Sequence, residues 1–224
     1  MTLIIGDIHG CYNELMALLD KSGITDDEPI IAIGDLADRG NKPAQVLDFF
    51  MNTPHATSIL GNHEQRHLDA AASGKPPPLS QLLTRWHLGD AYTDALTFIE
   101  TLPLSIELDD AILVHGYYEP TVPLSEQRKD VLLGSGKGLK HLQKTLSETW
   151  FMAYDGEKPL IVGHRDYTQM ERPFNYQNRV FGLDTRCVTG GSLTGLRLPQ
   201  WEFISVPAKK NYWGHIRNNI ATDT

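Results

Sequence analysis

The chain has 224 residues, 41% of them hydrophobic, and a formal net charge of −8; it can build one sizeable core, has no room for two independent domains beside it, and its acidity opposes a broad nucleic-acid-binding surface. Cys11 and Cys187 are the only cysteines, so at most one disulfide is possible and neither a secreted framework nor a thiolate metal site is indicated. No run reaches membrane-spanning length and no cationic, apolar leader opens the chain, so the expectation is a cytoplasmic protein without membrane contact.

The chain begins with strand–loop–helix alternation. Apolar, largely β-branched runs at Leu3-Ile4-Ile5, Ile30-Ile31-Ala32-Ile33 and Thr57-Ser58-Ile59-Leu60 read as buried strands. Cys11 to Leu19 (in a helix expected over Tyr12 to Lys21), Pro43 to Met51 and Glu64 to Ala72 carry apolar residues at helical spacing. Pro43 near a helix start and Gly23 after a helix end punctuate them. This alternation predicts a parallel core sheet. Lys75-Pro76-Pro77-Pro78 breaks the rhythm, and Leu79 to Leu88 with Tyr92 to Leu102 read as a helical insertion that walls a cleft.

Asp109-Asp110 then joins Ser105-Ile106-Glu107-Leu108 to Ala111-Ile112-Leu113-Val114 as a hairpin. Gly134-Ser135-Gly136-Lys137-Gly138 fails the spacing of a nucleotide-binding loop, because Val131 stands where its first glycine belongs; it reads as a flexible connection before a helix over Leu139 to Tyr154. Arg179 to Leu183, Ser192 to Leu198 and Trp201 to Val206 continue the β series, and the polar stretch Lys209 to Thr224 is expected to be partly loose. The predicted class is α/β, a two-sheet β-sandwich flanked by helices in one domain over 1–224, with the helical insertion at about 79–102.

The three early strands end in Gly6-Asp7-Ile8-His9-Gly10, Gly34-Asp35-Leu36-Ala37-Asp38-Arg39-Gly40 and Gly61-Asn62-His63-Glu64. Asp, Asn and His supply hard oxygen and borderline nitrogen donors, a set suited to manganese, iron or zinc. His115, after Ala111-Ile112-Leu113-Val114, and His164, after Leu160-Ile161-Val162-Gly163, close strand-like runs in the same way. His55, His67, His87, His141 and His215 have no partner at ligand spacing and read as solvated or helix-face residues. Cys11 reads as a packing residue.

These five motifs, followed by Gly182-Leu183-Asp184-Thr185 and Gly190-Gly191-Ser192-Leu193-Thr194, resemble those of the calcineurin-like metallophosphoesterases. The likeness is to the phosphoprotein phosphatase branch, which includes small bacterial and phage enzymes and diadenosine tetraphosphate hydrolases. The resemblance implies that Asp7 and His9 hold one divalent metal ion, that Asn62, His115 and His164 hold a second, and that Asp35 bridges the two. It also implies that His63 donates a proton to the leaving oxygen, that Asp38 orients His63, and that Arg39 clamps phosphate, a role that suits a planar guanidinium. Two departures stand out. Arg186 occupies a position where the branch commonly has glycine, and no second phosphate-binding arginine follows Trp150; Arg128, Arg165 and Arg186 are the candidate substitutes.

The resulting expectation is a phosphoester hydrolase with two metal ions, manganese first and iron or zinc as alternatives. A Ser/Thr-type protein phosphatase acting on a phosphoprotein or phosphorylated small molecule is the leading reading. A dinucleoside tetraphosphate hydrolase is the alternative, and a non-catalytic scaffold of the same fold is the non-enzyme one.

Overall fold

The computed structural model describes residues 1–222. In chain order its strands and α-helices are β1 (Thr2–Ile5), α1 (Tyr12–Ser22), β2 (Ile30–Ala32), α2 (Pro43–Asn52), β3 (Ala56–Ser58), α3 (Asn62–Ser73), α4 (Leu79–Leu88) and α5 (Tyr92–Thr101). These are followed by β4 (Ser105–Glu107), β5 (Ile112–Val114), α6 (Lys129–Leu132), α7 (Gly136–Thr145), α8 (Trp150–Ala153), β6 (Leu160–Val162), β7 (Phe174–Tyr176), β8 (Val180–Gly182), β9 (Ser192–Leu198), β10 (Glu202–Pro207) and α9 (Tyr212–Thr222).

The strands form two five-stranded sheets, β10-β9-β1-β2-β3 and β4-β5-β6-β8-β7. In the first, β1, β2 and β3 run parallel, with Ile4 opposite Ile31, while β9 and β10 are antiparallel. In the second, β5, β6 and β8 are parallel, and β4 and β7 flank them antiparallel. The central strands are apolar on both faces because both faces are covered. Ile4 and Ile31 point inward to meet Leu113, Ile161 and Phe181 of the other sheet. Their neighbours Leu3 and Ile5 point outward, against Leu15 and Leu18 of α1 and Val46 and Leu47 of α2. Val114, Leu160 and Val162 do the same against Leu142 of α7 and Trp150 of α8. The layers are helix, sheet, sheet, helix, and each fully buried Leu or Ile contributes about 1.5–3 kcal/mol.

Several expectations change in detail. The helix expected over Leu139 to Tyr154 is two, α7 and α8, because Leu146 and Thr149 adopt extended backbone angles between them. The glycine-rich stretch before it is the first turn of α7, where Ser135 Oγ caps the helix by accepting from the Gly138 N–H at 3.1 Å. Strand β7 and the short α6 went unpredicted. The C-terminal stretch expected to be loose contains α9, and the Tyr212 hydroxyl donates to the buried Glu14 Oε1 at 2.7 Å; residues 223 and 224 lie outside the described residues. Both cysteines are free and buried.

Candidate metal centre

The carboxyl ends of parallel strands from both sheets converge at one edge of the sandwich, the place where open α/β sheets form a crevice. Asp7 and His9 follow β1, Asp35 follows β2, Asn62 and His63 open α3, and His115 and His164 follow β5 and β6. The loops bend sharply to bring these side chains inward. His9, Asp35, Asp38, Arg39 and His164 all have left-handed φ angles, between +47° and +68°, a conformation that costs non-glycine residues about 1–3 kcal/mol and clusters at functional sites. Gly61 leaves the space that Asp35 needs: a Cβ there would lie 2.3 Å from the Asp35 nitrogen and 2.4 Å from its Oδ1.

Asp35 sits at the centre. Its Oδ2 is 3.4 Å from His9 Nε2 and its Oδ1 is 3.4 Å from His115 Nε2. His9, Asp35 and His63 form one group, and Asp35, His115 and His164 a second, each with its ligand atoms within 4.8 Å of one another. Asn62 Oδ1 lies 3.0 Å from His115 Nε2 and 3.0 Å from His164 Nδ1. Asp7 stands outside both tight groups, with its carboxylate taking the His164 N–H at 2.9 and 3.1 Å.

The donor set fits divalent cations because its acceptors face one another. His115 Nδ1 donates to the Ile33 carbonyl at 2.7 Å and His9 Nδ1 to the Ala37 carbonyl at 2.9 Å. In a neutral ring the Nε2 lone pair is then directed into the site. Burial lowers the pKa of His9 to about 3, and burial followed by the nearby His115 does the same for His164. Around His115, lone pairs meet the oxygens of Asp35 and Asn62 with no proton between them; at His9, Arg39 Nη1 approaches Nε2 at 3.3 Å. Turning over the Asn62 amide would aim its NH₂ at His115, Asp35 and His164 and its oxygen at Arg66. The oxygen-inward orientation is the one a cation requires. Asp7 is pushed well above the usual carboxylate range by burial and then by Asp184 and Asp35, a repulsion that a cation would relieve.

A second network lies behind this set. The His63 Nδ1 donates to Asp38 Oδ2 at 2.6 Å, while His67 Nε2 and Thr84 Oγ1 donate to Asp38 Oδ1 at 3.0 and 2.8 Å. Burial works to raise the Asp38 pKa, but the hydrogen bonds from His63 and His67 hold it well below the usual range. His67, expected to be solvated or on a helix face, is buried and also meets the Tyr92 hydroxyl at 3.1 Å. Its spacing from His63 placed both on one face of α3, but its partners Asp38 and Tyr92 come from other elements and leave no local mark. Glu64 was missed for the same reason. Its carboxylate takes the Asp35 and Ala37 N–H groups at 2.8 and 3.2 Å, shaping the Asp35 loop, and burial followed by Asp35 raises its pKa to about 8. Arg66 Nη1, 3.4 Å from His63 Nε2, also went unrecognised, and Asp184 was seen only as part of a motif, with no role given to it.

Of the arginines, Arg39, Arg165 and Arg186 line one cleft with His9, His164 and Asp184. Arg128 does not join them; it is exposed and pairs with Asp130 at 3.1 Å. His55, His87 and His215 are exposed, as expected, and His141 pairs with Glu119 at 2.9 Å. Trp86 is 76% exposed on α4 and takes no part in the cleft.

Residues 1–204 match the family of calcineurin-like phosphoesterases. A bis(5'-nucleosyl)-tetraphosphatase PrpE, asymmetrical, from Anoxybacillus flavithermus is 33% identical to this chain over 93% of its length and 95% of the relative's. The protein of the same name from Bacillus subtilis is 30% identical over 93% and 95%. A solved structure provisionally named a diadenosine tetraphosphatase superposes with a TM-score of 0.75 at 24% identity, over 92% of this chain and 93% of that one. A protein serine/threonine phosphatase from Saccharomyces cerevisiae does so at 0.59 and 15%, over 92% and 79%. Both structures share the fold. Among the described residues no helix is long and apolar enough to cross a membrane.

Proposed function

The chain belongs to the calcineurin-like phosphoesterase family, and from that premise we propose that this metallophosphoesterase hydrolyses dinucleoside tetraphosphates, with manganese as the working metal. The observation that carries the reading is the grouping of Arg39, Arg165 and Arg186 around one cleft beside His9 and His164. A phosphopeptide carries one terminal phosphate and would need little beyond Arg39. A chain of four phosphates needs several cations, and guanidinium groups hold phosphate oxygens through paired hydrogen bonds. The names of the relatives favour the same substrate, so the alternative stated above replaces the protein-phosphatase reading.

In this proposal Asp7, His9, Asp35, Asn62, His115 and His164 hold two divalent cations. When bound, such a pair supplies hydroxide from water near neutral pH and offsets charge on the phosphoryl oxygens. Arg39 holds the phosphoryl group that is attacked, and Arg165 and Arg186 hold its neighbours. His63 presents a proton from Nε2 to the leaving oxygen, worth about two to four orders of magnitude for a poor leaving group. Asp38 fixes the ring's aim by accepting from Nδ1 at 2.6 Å.

The test is side-by-side kinetics of the manganese-loaded enzyme on diadenosine tetraphosphate and phosphopeptides, with chromatographic identification of products. The expected result is a higher kcat/KM for the dinucleotide, with ATP and AMP as products, as asymmetrical cleavage requires. A phosphopeptide preference would return the reading to a protein phosphatase, and inactivity across a broad phosphoester and phosphoanhydride panel would leave the scaffold.

A further inference from the structure

We propose that the groove extending from Arg165 to Trp150 binds the base of one nucleoside of the substrate, an inference that rests on the dinucleoside tetraphosphate reading. The groove and the metal cleft share a wall. Arg165, Asp166 and Gln169 line both, with His9 and His164 on the cleft side and Trp150, Phe151 and Tyr167 on the groove side.

That wall is held in shape by its own hydrogen bonds. Asp166 Oδ1 accepts from the Thr168 N–H at 3.0 Å, the Thr168 hydroxyl at 2.7 Å and the Gln169 N–H at 3.0 Å. Its Oδ2 accepts from the Glu171 N–H at 2.9 Å. The segment is thereby folded around one carboxylate, and Arg165 projects from it as an exposed residue at the junction of the two cavities. A guanidinium there can hold a phosphate whose nucleoside continues into the groove.

The chemistry changes across that junction. On the cleft side are the metal ligands and arginines. On the groove side, Tyr167 packs with Trp150 and Phe151 at ring separations of 6.1 and 5.7 Å; Trp150 is buried, and the half-buried rings of Phe151 and Tyr167 give the groove an aromatic wall of the kind on which bases stack. Gln143 and Glu148 border it and offer acceptors for an exocyclic amine, and an amide donor for a ring nitrogen. Glu148, which lines the groove and not the cleft, would repel another phosphate at this end, so the groove suits a neutral ring better than a second anion. A flat, neutral, hydrogen-bonding ring joined to a phosphate is a nucleotide.

Ser147 is exposed and lines the groove, so Ser147→Trp fills it without entering the core. Kinetics of the manganese-loaded variant should show KM for diadenosine tetraphosphate raised about tenfold or more, the scale of one lost base stack. Activity on p-nitrophenyl phosphate, which has no base, should stay within about twofold of wild type, because the metal centre is untouched. Phe151→Ala, which removes part of the aromatic wall, should also act on the dinucleotide selectively. Titration calorimetry with AMP should show binding to the wild type that Ser147→Trp weakens. An unchanged KM for the dinucleotide in Ser147→Trp, or equal loss on both substrates, overturns the inference. If the wild type hydrolyses no dinucleotide, the substrate reading fails separately; AMP binding that Ser147→Trp weakens would still support the groove, and binding insensitive to it would end the inference.

Discussion

Replacing His67 with alanine removes one of three side-chain donors from the Asp38 carboxylate. The remaining two are His63 Nδ1 at 2.6 Å and Thr84 Oγ1 at 2.8 Å, and because His67 and Asp38 are both buried, bulk water does not directly replace the lost one. A hydrogen bond to a charged group contributes about 1.5–3 kcal/mol, and lost imidazole packing adds to that, so about 3 kcal/mol of destabilisation is expected. At roughly 2–4 °C per kcal/mol for a chain of this size, Tm should fall by about 6–12 °C. The catalytic effect should depend on the leaving group. With Asp38 held less firmly, the acid contribution proposed for His63 should fall, so hydrolysis of an alkyl phosphate should slow about tenfold, while p-nitrophenyl phosphate, whose leaving group needs no proton, should change by less than about twofold. His67→Gln places an amide N–H near the former Nε2 and should recover most of both losses. Urea unfolding and steady-state kinetics on the two substrates test this. Equal slowing on both substrates, or an activity that glutamine does not recover, would refute the positioning role and leave His67 as packing.

Three further outcomes follow from the site and its supports. Chelation should abolish activity and manganese restore it, and Asp35→Asn should bind fewer ions by mass spectrometry and lose about a hundredfold or more in kcat, since water is activated by the metals; full activity after chelation would contradict the metal reading. Gly61→Ala forces a Cβ to within 2.4 Å of Asp35 Oδ1, whereas Gly136→Ala meets nothing within 4 Å; the first should lose most activity and the second none, and comparable activities would show that the Asp35 loop yields. Tyr212→Phe removes the 2.7 Å bond to Glu14, whose Oε2 already lacks a partner. It should cost about 1–3 kcal/mol by urea unfolding with kcat unchanged, and a silent substitution would mean that α9 contributes little to stability.

The sandwich and the convergence of its strand ends were legible because their signal is local. A parallel strand covered on both faces must be apolar throughout, as Leu3-Ile4-Ile5 and Leu160-Ile161-Val162 are, and the polar residue that follows marks where the covered segment ends. The motifs that contain Asp7, His9, Asp35, Asn62, His115 and His164 stand at such ends, so the strand argument marked where candidates lie and the family resemblance singled out these six. The inner network left no such trace. Asp38 meets Thr84 across 46 residues and His67 across 29, and Glu14 meets Tyr212 across 198, distances over which no periodicity carries information. The break between α7 and α8 escaped because no glycine or proline marks it in Leu146-Ser147-Glu148-Thr149; it shows only in the extended backbone at Leu146 and Thr149. Arg128 and Arg165 were equal candidates in sequence, yet one pairs with Asp130 on the surface and the other stands between two cavities. Covalent neighbours determine whether a segment becomes a strand or a helix, whereas a polar side chain's role is set by which distant groups share its burial, and that is decided only when the two sheets close on each other.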